Sequence, residues 1–155
     1  MVKYETVKTT HEHVVELAQT MRQADIEEAW AGWHLTPLEA LEYMFKITKD
    51  MRTWLIDGEV GCIFGTVPPV ALSSKGVPWM LTSEIFPHHF MHFCRGSVHY
   101  LEEMKEEFEF LENYVDARNK DAIRWLKWLG FEFDNPAPFG RDQMPFMRFT
   151  IQGYV

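Results

Sequence analysis

The sequence predicts a mixed α/β fold, and three observations carry the prediction. Two helix-start signals precede any strong strand, an Asp-Gly hairpin lies mid-chain, and a helix bounded by Asn and Gly sits between strands near the end. Lys3 to Thr9 reads as a short strand in which charged and β-branched residues alternate. Thr9-Thr10-His11-Glu12 fits a capping box, with a Thr hydroxyl taking a backbone N–H and Glu12 reaching back. Val14, Leu17, Ala18 and Met21 then recur at helical spacing, which predicts a helix over 11–23. Ile26, Ala29, Trp30 and Trp33 continue the rhythm as a second, bent helix. Thr36-Pro37-Leu38-Glu39 is a stronger start signal, with Pro at the first helical position, and Leu38, Leu41, Met44 and Phe45 form the apolar stripe behind it.

From Met51 the period changes. Thr53 to Ile56 and Val60 to Phe64 flank Asp57-Gly58, a pair that accepts the positive φ of a tight hairpin turn. Val67-Pro68-Pro69 interrupts the second strand, since proline donates nothing to a ladder. Lys75-Gly76 reads as a turn, and Pro78 to Ser83 as the next strand. Pro87 to Leu111 is helical through Phe90, Phe93, Cys94, Leu101, Met104 and Phe108. Asn113 to Ala117 is a strand, Asn119 caps a helix that ends at Gly130, and Phe131 to Phe133 and Phe146 to Ile151 close the chain around a loop over Asn135 to Pro145. The order β-α-α-β-β-β-α-β-α-β-β differs from the strict alternation of a doubly wound parallel sheet.

At 155 residues, 46% hydrophobic and 15% aromatic, the chain suits one well-filled domain over residues 1–155. A net charge of −8 removes the usual electrostatic source of nucleic-acid or membrane-surface binding. No stretch approaches about 18 consecutive apolar residues, and Met1 to Glu5 lacks a signal-peptide core. Cys62 and Cys94 read as two reduced, buried thiols, and the cytoplasm is the expected compartment.

The element order and the run Val115-Asp116-Ala117-Arg118-Asn119-Lys120-Asp121-Ala122-Ile123, closed by Leu129-Gly130-Phe131, resemble the GNAT superfamily of acyl-CoA-dependent N-acetyltransferases. The resemblance implies a mixed, mostly antiparallel central sheet of about six to seven strands flanked by about four helices. It also implies acetyl-CoA as co-substrate and an amine-bearing small molecule or protein as acceptor. Asn113-Tyr114-Val115, Asn119, Ile123-Arg124-Trp125-Leu126-Lys127 and Phe149-Thr150-Ile151 are further similar to the small internal virion protein of short-tailed phages, itself GNAT-like, over residues 111–152. That likeness implies a phage or prophage origin, with a host or virion protein as a second kind of partner.

By the same resemblance, the strand Leu81-Thr82-Ser83 lines the pantetheine and acetyl group, and Asn119 stands opposite. Glu84, with Ser83 beside it, is the candidate catalytic pair, Glu84 as the base toward the amine. Two departures stand out. The family's glycine-rich phosphate turn should fall near Pro87 to Cys94, which holds no glycine; His88, His89 and Arg95 are the candidate replacements. The family's Tyr that protonates the leaving thiolate is replaced by Leu126.

The same histidines also admit a solvated helix start or, with Cys94, a zinc set, but His-Glu-x-x-His spacing is absent and no metal is expected. Trp30, Trp33, Trp125 and Trp128 read as core or interface. Cys94 and Ser97 lack the His/Asp order of a nucleophile. An acetyltransferase and a non-catalytic protein of the same fold that binds another protein are the two functions left open.

Overall fold

The computed structural model describes residues 1–68 and 73–155. Among them are eight strands and five α-helices in the order β1 (Tyr4–Lys8), α1 (His11–Thr20), α2 (Gln23–Trp33), α3 (Pro37–Ile47), β2 (Arg52–Ile56), β3 (Glu59–Val67), β4 (Lys75–Thr82), α4 (Phe90–Glu107), β5 (Phe110–Asp116), α5 (Lys120–Leu129), β6 (Glu132–Phe133), β7 (Ala137–Phe139) and β8 (Met144–Gln152). A short 3₁₀ turn, Phe86–His89, leads into α4. The strands form one sheet in the order β1-β2-β3-β4-β5-β8-β6, with β7 also on β8. Among the described residues β4 and β5 form the one parallel pair, so the mixed, mostly antiparallel sheet expected is the sheet observed.

Local signals place several elements as expected. Asp57 and Gly58 take φ of 48° and 83° between β2 and β3. Thr36 and Glu39 close the capping box of α3 behind Pro37, and Gly130 ends α5 at φ 104°. Elsewhere distant partners win. Thr9 is buried, its hydroxyl taken by Thr53 and its amide by Met51, so Thr10 caps α1 instead, with His13 in place of Glu12. Helix α1 stops at Thr20 because Met21 bridges Ser83 and the Arg22 amide donates to Thr82. Lys75-Gly76 begins a strand rather than a turn: a Cβ on Gly76 would meet the Phe108 ring at 2.6 Å. Phe108 itself leaves the helix for the core, ending α4 at Glu107 and starting β5 earlier than expected. The loop over Asn135 to Pro145 contains β7, which raises the strand count. On α3 the buried stripe is Ala40 and Leu41, while Leu38 and Phe45 are exposed. Of the proline break at Val67 to Pro69, Val67 closes β3 and Pro69 lies outside the described residues.

The sheet separates two packed layers. Helices α1 and α3 bury Val14, Leu17 and Leu41 against Val60 and Ile63 on one face, with Trp79 and Leu81 alongside. Helices α4 and α5 cover the other, where Phe93 meets Trp54, Phe64 and Met80, and Leu101 joins Leu111, Ile123 and Leu126. The period of two along β4 therefore sends Met80 to one face and its neighbours to the other. Cys62 and Cys94 are buried free thiols. Among the described residues no helix is long and apolar enough to cross a membrane.

Candidate active site

Strands β4 and β5 pair only at their beginnings, Lys75 with Phe110 and Gly76 with Leu111, and then diverge. The divergence exposes main-chain edges that a complete ladder would satisfy. On β5 two of these amides are met by side chains: Asn113 Oδ1 accepts from Tyr114 at 2.7 Å, and Glu28 Oε1 from Asp116 at 2.8 Å. On β4 the Pro78 carbonyl accepts from Asn113 Nδ2 at 2.7 Å, and the Thr82 amide donates to Asp25 at 2.8 Å. Strand alternation puts the N–H and C=O of Met80, midway between Pro78 and Thr82, on that same edge, facing the gap. Leu81 instead turns its main chain into the ladder with Ile63.

A cavity of about 680 Å³ occupies the gap and reaches both faces of the sheet. Its walls include Met80, Phe93 and Trp125 from the α4–α5 side and Trp33, Tyr43 and Leu81 from the α2–α3 side. The indole Nε1 of Trp125 is buried there and has no acceptor among the described residues. A carbonyl entering the cavity would satisfy it.

Helix α2 places a polar cluster across the wide end. Arg22, at its N-cap position, and Asp25 and Glu28 recur every third residue and so share a face. Arg22 Nη2 donates to Asp25 Oδ1 at 3.1 Å and to Asn119 Oδ1 at 3.2 Å, and its Nε donates to the Thr82 hydroxyl at 3.0 Å. That hydroxyl donates in turn to Asp25. Asp25 thus seals the end of β4, while Glu28 seals the end of β5 and takes a longer contact, 3.4 Å, from Asn119 Nδ2. Burial raises the Asp25 pKa against the pull of Arg22 and Thr82. Burial also pushes Glu28 up, to about 8, and the charges of Asp25 and Asp116 add to it against the Asp116 amide and Asn119. A carboxyl poised there can take a proton from a substrate or return one.

Of the residues singled out from sequence, Leu81, Thr82 and Asn119 line this cavity; Ser83, Glu84, His88, His89 and Arg95 do not. Asn119 stands at the N-cap position of α5 but makes no side-chain cap, because its amide is turned to Arg22 and Glu28. Ser83 and Glu84 spend their amides on Gly61 and Thr20, and the Glu84 side chain is exposed. His89 Nδ1 meets the Tyr4 hydroxyl at 2.9 Å, and His92 stacks on the same ring at 3.7 Å, so both histidines face β1. His88 and Arg95 are exposed, and Gly96 lies inside α4, away from any turn. Trp33 and Trp125 line the cavity, which adds a role to the core or interface expected of them. Among the described residues no group of three His, Cys, Asp or Glu side chains is placed to hold a metal ion. Sequence reasoning missed Arg22, Asp25 and Glu28; their three-residue spacing beside Ile26 and Ala29 was the available signal.

Comparison with known proteins bears on the fold. A GNAT-family acetyltransferase from Streptococcus pneumoniae superposes with a TM-score of 0.69 at 11% identity, over 98% of this chain and 100% of that one. Ard1 from Thermoplasma volcanium gives 0.71 at 12% identity, over 98% and 99%. Spermidine N-acetyltransferase from Vibrio cholerae, solved with CoA and spermine, gives 0.69 at 10% identity, over 97% and 95%. A family model described as bacteriophage T7, probable scaffold protein Gp13, matches residues 69–136, fewer than half of the chain. No curated protein matches in sequence. At these identities the likeness concerns architecture, and the architecture is the GNAT fold.

Proposed function

We propose that this chain, as one domain, is an acetyl-CoA-dependent N-acetyltransferase that joins an acetyl group to an amine by direct attack. The observation that carries the reading is the opening through the sheet between β4 and β5, closed at its wide end by Glu28. A passage with two faces lets a donor and an acceptor approach one point from opposite sides, which makes positioning the main catalytic resource. The Vibrio cholerae neighbour solved with CoA supports the choice of donor.

The free main-chain edge of Met80, the orphan Trp125 Nε1 and Asn119 fit an amide-rich pantetheine arm. Thr82 and Leu81 wall the same channel with their side chains. The guanidinium of Arg95 and the ring N–H of His88, both exposed around the start of α4, are the groups offered to phosphates in place of a glycine-rich turn. When bound, acetyl-CoA supplies the activated thioester. Glu28 Oε1 is fixed by the Asp116 amide, which leaves Oε2 to receive the proton of the attacking amine and to hold it for the leaving sulfur. This dual use answers the loss of the family's Tyr, since Leu126 is buried and has no proton to give. Glu84 and Ser83, first read as the catalytic pair, have no proton to move in this scheme; the base is Glu28. Because Glu28 titrates at about 8, turnover should climb as pH rises toward that value and then level.

Thiol release from acetyl-CoA with an amine panel tests the reading. Acetyl-CoA at 100 times its Kd should stabilise the fold by about 2.7 kcal/mol. Glu28→Gln should bind it and turn over at least about 10²-fold more slowly. Full activity in that variant would remove Glu28 from the chemistry. Absence of acetyl-CoA binding by the native chain would favour the second reading, a non-catalytic protein of phage origin acting on a host or virion partner in the host cytoplasm. That reading draws on the match over residues 69–136 and on the missing glycines at the start of α4.

A further inference from the structure

Both sides of the cavity are mostly apolar, with Phe93, Leu101 and Trp125 on the α4–α5 side, where the pantetheine arm is proposed to lie, and the α2–α3 side is left for an acceptor. The α2–α3 end is walled by Trp33, Leu35, Tyr43, Met44 and Ile47, all apolar or aromatic. Trp33 and Tyr43 stay 47% and 56% exposed, so both rings keep uncovered area at the mouth. Trp33 is held edge-on against Phe139, which stacks on Tyr114 at 4.2 Å, so its ring is backed by a fixed aromatic layer. The carboxylates in the described lining are Asp25 and Glu28, and Asp25 is engaged by Arg22 and Thr82. One carboxyl group is therefore left to receive an amine. Lys49 stands exposed on the rim without an ion-pair partner among the described residues, and it repels a second ammonium group.

Resting on the acetyltransferase reading, we infer that the acceptor is a primary monoamine carried on an aromatic or apolar body. Its nitrogen meets Glu28 and its body covers Trp33 and Tyr43. Trp33 follows Glu28 by five residues on α2, an axial rise of about 7.5 Å, so a bare alkylamine of one or two carbons leaves the rings uncovered. A polyamine finds one anchoring carboxyl and an opposing lysine. Two sources share the required chemistry: a free arylalkylamine and the N-terminal amine of a polypeptide that begins with a large apolar residue.

The test pairs a binding measurement without acetyl-CoA with a turnover measurement. Native protein is titrated with 2-phenylethylamine, a Phe-initiated tripeptide amide, ethylamine and spermine, following tryptophan fluorescence, and thiol release is then measured with each. One of the two aromatic amines should bind, and its kcat/KM should exceed those of ethylamine and spermine at least 10-fold. Whichever of the pair leads identifies the source. Tyr43→Ala, an exposed position that folding should tolerate, should reduce that preference several-fold. Spermine or ethylamine used as well as the aromatic amines, or no binding of either aromatic amine, overturns the inference. Binding of an aromatic amine with no thiol release from any amine leaves the ligand class standing and overturns the acetyltransferase reading instead.

Discussion

Two glutamates guard opposite ends of the β4–β5 seam, and their surroundings set them apart. At the zipped end Glu112 sits between two cations, 2.9 Å from Lys75 Nζ and 2.7 Å from Arg148 Nη2. Burial alone would raise its pKa, but the hydrogen bonds from Lys75 and Arg148 outweigh burial and hold it below the usual carboxylate range. At the open end Glu28 is desolvated with no ion-pair partner among the described residues, and Asp25 and Asp116 push it further, to about 8. The same side chain is thus a tie across strands in one place and a proton store in the other. What differs is whether the sheet is closed around it, and an open seam leaves both the space and the unmatched carboxyl that chemistry needs.

The largest expected effect breaks the open end. Glu28→Gln should cut turnover at least about 10²-fold and yet leave the protein more stable than native above pH 8, as unfolding in urea would show. Native Glu28 binds its proton more tightly folded than unfolded. Its contribution is therefore full below about pH 4.5, is lost as pH rises through about 8, and is absent from the Gln variant.

Next comes the partner cluster. Asp25→Ala leaves Arg22 partly buried and short of its carboxylate, at a cost of about 3 kcal/mol. A loss below 1 kcal/mol in denaturant titration would mean that the end of β4 is held by other contacts. Glu112→Gln at the zipped end should cost about 1 kcal/mol near neutral pH. Its sign is opposite to that of Glu28: the contribution is present above the unfolded pKa and is lost as acid brings the pH down through the depressed folded value. Smallest is Asn119→Asp, which adds negative charge beside Glu28 and should move the midpoint of the pH–rate profile upward. A simple cap would leave that midpoint in place.

How much of this was legible in the sequence depends on the range of the forces involved. The Asp57-Gly58 turn, the Thr36 box and Gly130 are decided within a few residues, and each stands where the sequence puts it. The Thr9 cap failed because Thr53, far along the chain, takes its hydroxyl. Gly76 was misread for the same reason, since only the tertiary approach of Phe108 explains it. At the site, the resemblance reached Leu81, Thr82 and Asn119 because they belong to a strand and a helix start with readable signals. Glu28 stayed hidden although its spacing from Arg22 and Asp25 was visible. Nothing local says that this face of α2 will meet Thr82, Asp116 and Asn119 across an opening in the sheet.

The most direct test of the contrast is a ¹³C NMR titration of the glutamate side-chain carboxyls, with Glu28 and Glu112 assigned by their Gln variants. The account predicts a Glu28 midpoint near 8 and a Glu112 midpoint below the ordinary value of 4.5. A Glu28 midpoint at or below 4.5 would contradict it, for the open end of the seam would then hold an ordinary carboxylate and no stored proton.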